Sequence, residues 1–219
     1  ERAGIVWANG RQRRSRSEWM GFKLHCRSLE LRDDLEVHLG DQAYAGASAV
    51  EDGRVNVCAL IRRRPNMLKG SRTSAFSDCL AAAGLQHLAA RVREGDPDLA
   101  SQASVAGLAF GSANPPDPGS LRIGDAHALI PPFTGDGMAM AFEGAEGVLH
   151  PLLQYASGQL TWDETVRQAD QALERRFKRR LLVAGGIHSF LYHPRRQRVF
   201  RAGSAARLLP FRPLFQLLH

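Results

Sequence analysis

The stretch Gly124-Asp125-Ala126-His127-Ala128-Leu129-Ile130-Pro131-Pro132-Phe133-Thr134-Gly135-Asp136-Gly137-Met138 decides the fold of this chain. A strand-like segment at 120–123 leads into it, and a helical pattern of small residues begins at Gly137. The pattern predicts a strand, a glycine-rich loop and a helix N-terminus, where backbone N–H groups without helical partners favour negative charge.

The residue types of this loop suit a cofactor that carries negative charge when it is reduced. Gly135 and Gly137 keep side chains away from the backbone amides, while Pro131 and Pro132 stiffen the loop. The chemistry indicates flavin, since helix amides stabilise the negative charge that reduction places near N1 and C2=O of the flavin ring. Asp125 follows a strand, where its carboxylate can accept hydrogen bonds from the hydroxyls of the flavin's ribityl chain. The alternative is an ordinary glycine-punctuated turn before a helix.

The spacing of these residues resembles the second flavin motif of the FAD-dependent monooxygenase and oxidoreductase superfamily. Counted from Asp125, a proline follows at plus seven, glycines at plus ten and plus twelve, and a methionine at plus thirteen. The version Pro132-Phe133-Thr134-Gly135-Asp136-Gly137 is most similar to the geranylgeranyl reductase and flavin halogenase-like branch.

The resemblance implies that FAD is the cofactor, that Asp125 binds its ribityl chain, and that the backbone of Gly137 and Met138 faces the flavin pyrimidine edge. Asp136 is expected to be a solvated side chain or a helix N-terminal charge in preference to a catalytic acid. The candidate cofactor-binding residues are Gly124, Asp125, Pro132, Gly135, Asp136, Gly137 and Met138. No catalytic residue and no metal site is assigned.

The sequence contains no Gly-x-Gly-x-x-Gly that follows a strand, which is the phosphate-binding turn of a dinucleotide fold. We therefore expect an incomplete flavoprotein that lacks its N-terminal part. The apolar run Gly4 to Ala8 predicts a strand, and Asn9-Gly10-Arg11 a turn after it. In the family a similar turn closes the nucleotide-binding portion, so this turn is either that remnant or an ordinary surface turn.

Four regions are expected from composition and patterning. Alternation at Trp19 to Cys26, Leu35 to Leu39, Ala43 to Val50 and Val55 to Ile61 predicts an antiparallel sheet, with Asp52-Gly53 in a hairpin. With these strands, the resemblance implies the α/β fold class: an α+β substrate domain with an antiparallel sheet, part of a Rossmann-like FAD-binding domain, and a helical C-terminus. The expected bounds are 1–16 for the FAD-domain remnant, 17–113 for the substrate domain, 114–158 for the second flavin motif, and 159–219 for the helices.

Helices are expected in three further places. Apolar spacing predicts one helix over 74–93, and Thr161 with Glu164 forms a capping box for a helix that runs to Leu181. Within it, the cations Arg175, Arg176, Lys178, Arg179 and Arg180 are expected to face solvent. After Gly137 an apolar stripe is expected to anchor the cofactor helix in the core; it comprises Met138, Ala141, Phe142, Ala145, Val148, Leu149, Leu152 and Leu153.

The charge distribution and the cysteines indicate which binding partners and which cellular compartment to expect. The net charge of +7 is concentrated in 175–219, which hold eleven Lys and Arg and no acid. This segment carries no nucleic-acid motif, so nucleic acid is not expected. The basic tail from Pro194 either lies on an anionic membrane surface or packs on its own domain with its arginines outward. Cys26, Cys58 and Cys79 form no pairing pattern, which favours a reducing, cytoplasmic setting.

The family resemblance implies an FAD-dependent oxidoreductase, either a reductase or a monooxygenase, acting on a small or lipophilic organic substrate. The family resemblance implies NAD(P)H as the electron donor. The alternative is a non-catalytic remnant or interaction module of the same fold, with or without peripheral membrane contact.

Overall fold

The computed structural model describes residues 4–11, 17–64, 74–112, 119–206, 208 and 216. They fall into two compact units: one takes the described residues of 4–11 and 110–189 together with 208 and 216, and the other those of 17–109 and 190–206. We call them the loop–helix unit and the sheet unit. The mixture of strands and helices confirms the predicted α/β class, while the four predicted domain bounds stay predictions.

The sheet unit contains five strands: β2 Trp19–Cys26, β3 Leu35–Gly40, β4 Ala43–Ala49, β5 Val55–Arg62 and β6 Pro97–Leu108. They form one antiparallel sheet in the order β3-β4-β5-β2-β6. The β4–β5 hairpin turns through Glu51–Gly53, where Asp52 and Gly53 have φ of 60° and +67°. In β2 and β5 the side chains of one face are buried, as the predicted alternation requires. Strand β3 differs, since its apolar residues Leu35 and Val37 are exposed.

Two short helices cover one face of this sheet, α1 Ala75–Ala82 and α2 Gln86–Glu94. They bury Phe76, Leu80 and Leu88 against strand residues that include Phe22 and Val57. The single helix predicted over 74–93 is therefore wrong. The chain turns at Gly84, whose φ of +81° interrupts the helical backbone and is readily adopted only by glycine.

The loop–helix unit contains two small strand pairs. Strand β1 Val6–Trp7 runs parallel to β8 Leu121–Arg122, and β7 Gly111–Ser112 runs antiparallel to β9 Ala128–Leu129. The strands predicted near Val6 and at 120–123 are thus present, in shorter form. Helix α3 Gly137–Ala156 begins at the predicted residue.

Two further helices follow in the described residues, α4 Trp162–Leu191 and α5 Pro194–Ala205. The predicted capping box starts α4: Thr161 N donates to Glu164 Oε2 at 2.9 Å, and Glu164 N donates to Thr161 Oγ1 at 3.4 Å. The helix does not end at Leu181 as predicted, because it continues through Gly185 and Gly186, which have helix-compatible φ.

The expectation that the basic side chains of α4 are all solvated is wrong for Arg180. This residue is buried, and its guanidinium donates to Glu143 Oε1 of α3 at 3.1 Å. Arg176, which is exposed, donates to Glu143 Oε2 at 2.9 Å. The sequence pattern of α4 alone does not identify Glu143 as the acid that binds both arginines.

The predicted apolar stripe of α3 is in the core only in part. Val148 is buried, together with Met140 and Gly144, against Leu173 and Phe177 of α4. Four large stripe residues are instead exposed: Met138 by 77%, Phe142 by 78%, Leu149 by 54% and Leu153 by 59%. Helical periodicity identifies an apolar face, but it does not say whether another segment covers that face.

In the part of the chain that the structure describes, each helix is too short or too polar to cross a membrane.

Candidate cofactor site

The candidate site begins where the parallel strands β1 and β8 end. Val6 pairs with Leu121 and Trp7 with Arg122, and Ile123 N donates to Trp7 O at 3.0 Å. Parallel strands direct their carboxyl ends to the same edge. The turn at Asn9-Gly10-Arg11 and the loop at Gly124 therefore leave this strand pair at one edge.

Glycine conformations shape the loop between β8 and α3. Gly124 has a φ of +59° and Gly135 one of +75°, a region that residues with a Cβ rarely adopt. Thr134 holds the last turn, because its Oγ1 donates to Pro131 O at 3.1 Å and accepts from Asp136 N at 3.3 Å. The loop thus delivers the backbone to the start of α3 in a fixed conformation.

The N-terminus of α3 is assembled from the loop's last residues. The first intrahelical hydrogen bond of α3 is donated by Met140 N to Asp136 O at 2.8 Å. The amides of Gly137, Met138 and Ala139 come before it, in the first turn, where a helix offers its N–H groups no acceptor. Asp136 stands at the N-cap position but makes no side-chain capping hydrogen bond. The amides of this first turn are the donors that a negatively charged ligand edge requires.

Asp136 itself is only 2% exposed. The expectation of a solvated side chain is therefore wrong, whereas its place at the start of the helix agrees with a helix N-terminal charge. Thr134 Oγ1 accepts from the backbone N of Asp136, and the residue is buried although the sequence pattern presents it as a polar loop residue.

Three of the seven candidate residues border one cleft in the loop–helix unit. Gly124, Asp125 and Gly137 line it together with His127, Met140 and Phe177. The other four candidates, Pro132, Gly135, Asp136 and Met138, lie in the loop and in the first turn of α3. Around Gly137, the atom nearest to a built Cβ is Ile130 Cγ2 at 4.0 Å, so the backbone of this residue is open to the cleft.

Two ionisable groups of the cleft have shifted pKa values. Partial desolvation at the cleft raises the pKa of the Asp125 carboxyl even though the residue as a whole is exposed, and the positive charge of Arg11 opposes that rise. Burial also lowers the pKa of His127, which favours its neutral form. Sequence analysis missed both His127 and the charge interaction of Arg11 with Asp125, although His127 lies two residues after Asp125 in the motif.

These groups fit the cofactor that the sequence predicts. The cleft brings together a carboxylate acceptor at Asp125, glycine backbone at Gly124 and Gly137, and the amides that start α3. A ribityl chain needs the acceptor, and a flavin pyrimidine edge needs the amides. The roles of the individual residues stay predictions.

The sheet unit has one face that α1 and α2 do not cover. Across this face a cross-strand row runs from β3 to β6 and consists of Val37, Gly46, Cys58, Lys23 and Ala103. Val37, Cys58, Lys23 and Ala103 are exposed. The row combines apolar side chains with a thiol and an ammonium group.

Comparison with known proteins gives matches in structure alone. The sequence matches no family model and no curated protein. The flavin-dependent brominase Bmp2 superposes with a TM-score of 0.69 at 16% identity, over 97% of this chain and 56% of the brominase. HpxO of Klebsiella pneumoniae, solved in complex with FAD and uric acid, gives 0.67 at 15%, over 97% and 58% of the respective chains.

PqsL of Pseudomonas aeruginosa, a probable FAD-dependent monooxygenase, gives a TM-score of 0.60 at 13% identity, over 88% of this chain and 57% of PqsL. At such identities the likeness establishes the fold. The chain spans 56% to 58% of the length of these three proteins. The chain therefore has the fold of the FAD-dependent monooxygenases and flavin-dependent halogenases over slightly more than half of their length.

Proposed function

We propose that this chain is part of an FAD-dependent oxidoreductase, a reductase or monooxygenase that acts on a small or lipophilic organic substrate. The observation that carries the proposal is the loop after β8. Asp125 stands at its start and the N-terminus of α3 at its end, and residues of both border the same cleft. The likeness in fold to FAD-dependent enzymes supports this interpretation over an ordinary turn.

In this proposal the chain's own residues bind and orient the cofactor. Asp125 accepts hydrogen bonds from the ribityl hydroxyls, and the amides of Gly137 and Met138 donate to the pyrimidine edge. Gly124 and Gly135 hold the backbone in conformations that bring these groups together. Bound FAD would supply the hydride and electron transfer, with NAD(P)H as the proposed donor.

The open face of the sheet unit is the proposed substrate surface. Val37 and Ala103 offer apolar contact, and Lys23 and Cys58 lie directly opposite each other on neighbouring strands as polar contacts. A surface of this composition suits an organic molecule with an apolar body and a polar group. We assign no side chain of this row to proton transfer.

A second candidate function follows from the sequence itself. Its 219 residues contain no Gly-x-Gly-x-x-Gly turn for the cofactor's phosphates. In this alternative the chain is a non-catalytic interaction module that has kept the fold. Contact with an anionic membrane is compatible with either function, because Arg195, Arg196 and Arg198 of α5 are exposed beside the exposed Val199.

A visible absorption spectrum of the protein purified from its complete native gene separates the two functions. The enzyme predicts paired flavin bands that bleach with NADH or NADPH, and it predicts that Asp125→Ala lowers flavin content. The matched control is Asp34→Ala, which removes an exposed carboxylate from the sheet unit. A colourless protein that does not bind added FAD would leave only the interaction module.

A further inference from the structure

The open face of the sheet unit carries a lysine whose charge is not balanced there. Lys23 belongs to the cross-strand row Val37, Gly46, Cys58, Lys23 and Ala103, which we call the open row. The other members of the row are uncharged residue types, and among the residues that the structure describes no carboxylate forms an ion pair with Lys23. An ammonium group without a counter-charge on a largely apolar surface attracts an anion.

The neighbouring charges on this face do not cancel that of Lys23. His25 lies two residues further along the same side of β2. Desolvation lowers the pKa of its imidazole, and the charges of Lys23 and Arg54 lower it further. Asp98, opposite His25 on β6, raises this pKa, but its effect is smaller and its carboxylate is ion-paired with Arg27 at 3.0 Å. The field around Lys23 is therefore positive.

A glycine in β4 leaves room beside this cation. Gly46 lies within the strand, where glycine weakens a sheet because it contributes no side chain. Its φ is not positive, and the atom nearest to a built Cβ is the backbone oxygen of Glu36 at 3.9 Å. Neither the backbone conformation nor the packing requires glycine here. A glycine within a strand also marks a place where a ligand can approach the backbone closely.

The space at Gly46 and the ammonium of Lys23 lie two strands apart in the open row. Neighbouring strands are about 4.8 Å apart, so roughly 10 Å separate the two positions. Cys58 lies between them on β5, with an exposed side chain. A small organic molecule that lies across these strands can therefore cover Gly46 at one end and contact Lys23 at the other.

One side of the open row is bordered by aromatic rings. Tyr44 lies two residues before Gly46 on the same side of β4, and it is buried. The ring of Tyr192 lies 6.0 Å from that of Tyr44 and 4.2 Å from that of Trp19. We call these three rings the aromatic border. They cover the adjacent part of the face and give a molecule on the open row an apolar neighbour.

We propose that the open row selects organic acids, with the apolar body of the acid over Gly46 beside the aromatic border and its carboxylate accepting a hydrogen bond from the Lys23 ammonium. Lys23 is then the residue that distinguishes an anionic substrate from its neutral counterpart. The proposal rests on the proposed function, because it names the substrate class of the proposed substrate surface. Charge complementarity and the space at Gly46 carry it together.

Alkylation of Cys58 by iodoacetamide measures binding at the open row itself. Cys58 is exposed and lies opposite Lys23, whereas Cys26 and Cys79 are buried and serve as internal references. In the complete native protein, mass spectrometry gives the concentration of each compound that halves the alkylation rate. The compounds are acid–amide pairs: benzoate with benzamide, 2-naphthoate with 2-naphthamide, and octanoate with octanamide. Each variant is compared with its own alkylation rate without ligand.

We expect at least one acid to protect Cys58 at a concentration roughly tenfold below that of its amide, as a hydrogen bond between charged groups provides. Lys23→Met should remove this difference, and Lys23→Arg should restore most of it. Lys178→Met, which removes an exposed lysine of α4, is the control and should leave the difference unchanged.

Three results would overturn the proposal. In the first, no acid protects Cys58 better than its amide does. In the second, the preference for the acid survives in Lys23→Met. In the third, Cys58 of the complete protein reacts as slowly as the buried Cys26, because another segment of protein then covers the open row.

The space at Gly46 is tested separately. Gly46→Val places a branched side chain over the row, so acid and amide should both protect Cys58 less well, by roughly tenfold or more. Ala49→Val, at an exposed position on the other side of β4, is the control and should leave protection unchanged. No side chain lies within 4 Å of a built Cβ at Gly46, so circular dichroism of the variant should match the parent. Equal protection in the two variants would contradict the placement of the apolar body.

Failure of this inference is distinguishable from failure of the proposed function, because protection of Cys58 requires no flavin chemistry. Protection that depends on Lys23 in a protein without flavin bands would retain the acid site and contradict the enzyme. Flavin bands that bleach with NADH or NADPH, in a protein whose Cys58 no acid protects, would retain the enzyme and contradict the acid site.

Discussion

Asp125 and Arg11 follow two adjacent parallel strands and interact through their charges. Partial desolvation raises the pKa of the Asp125 carboxyl, and the guanidinium of Arg11 opposes the rise. The turn Asn9-Gly10-Arg11 therefore contributes to the electrostatics of the cleft. This observation favours its interpretation as part of the cofactor site over that of an unrelated surface turn.

The first prediction concerns this pair. Arg11→Gln removes the charge that opposes the effect of desolvation, so the pKa of Asp125 should rise further above its ordinary value. Carboxyl carbon NMR across a pH titration measures the change. Arg32→Gln, an exposed arginine of the sheet unit, is the control and should leave the titration of Asp125 unchanged. A pKa that stays constant or falls in Arg11→Gln would show that the two residues do not interact.

The second prediction concerns acid stability of the sheet unit. Hydrogen bonds from Arg91 lower the pKa of Glu36 from 4.5 to about 2 against the opposing effect of burial. Because the pKa is lower in the folded state, this stabilisation is complete above pH 4.5 and is lost as the pH falls towards 2. Glu36→Gln should lower the free energy of unfolding by about 2 kcal/mol at pH 7, because it weakens hydrogen bonds between charged groups, with a smaller difference at pH 3.

Urea unfolding at both pH values checks this prediction. Glu174→Gln is the control, since Glu174 forms an exposed pair with Lys178 at 3.3 Å. Such a pair contributes less than about 0.5 kcal/mol. If Glu36→Gln destabilised the protein equally at pH 7 and pH 3, the effect would not come from ionisation of Glu36.

The third prediction compares the two arginines that bind Glu143. Arg180 is buried and Arg176 is exposed, although both donate to the same carboxylate. Glu143→Gln leaves a buried guanidinium without its counter-charge and should cost about 2 kcal/mol of unfolding free energy. Arg176→Gln should cost much less, because the Arg176 guanidinium is exposed and solvent screens its charge.

Thermal and urea unfolding of both variants provide the measurement. Burial raises the pKa of Glu143, but the hydrogen bonds from Arg176 and Arg180 outweigh it and hold the pKa below its ordinary value. The stabilisation is therefore complete above the ordinary pKa of 4.5 and is lost at more acidic pH. An Arg176→Gln variant as unstable as Glu143→Gln would contradict the distinction between the buried and the exposed partner.

Local patterns were sufficient to predict much of this structure. The start of α3 at Gly137 was predictable because turn glycines and a helical pattern meet at one residue. Strands β2 to β5 were predictable because apolar and polar residues alternate along them, as strand geometry favours. The capping box at Thr161 is likewise a local interaction between two named side chains.

Features that depend on neighbours distant in sequence were not predictable in this way. The helix breaks at Gly84, which has a φ of +81°, whereas α4 continues through Gly185. Residue type alone does not say which of the two glycines ends a helix. The burial of Arg180 depends on Glu143, which lies on another helix. The exposure of Phe142 and Leu149 depends on which segments surround α3, and periodicity carries no information about this.

The central claim is that the N-terminus of α3 holds the flavin. Its most direct test is flavin content, measured by visible absorption, in Gly137→Val and Gly147→Val made in the complete native protein. Both positions lie in α3, and no atom outside the local helix lies within 4 Å of a built Cβ at Gly147, so that substitution is a matched control for the branched side chain. We predict that Gly137→Val loses most of its flavin while Gly147→Val retains it. Equal flavin content in the two variants would contradict the assignment of the site.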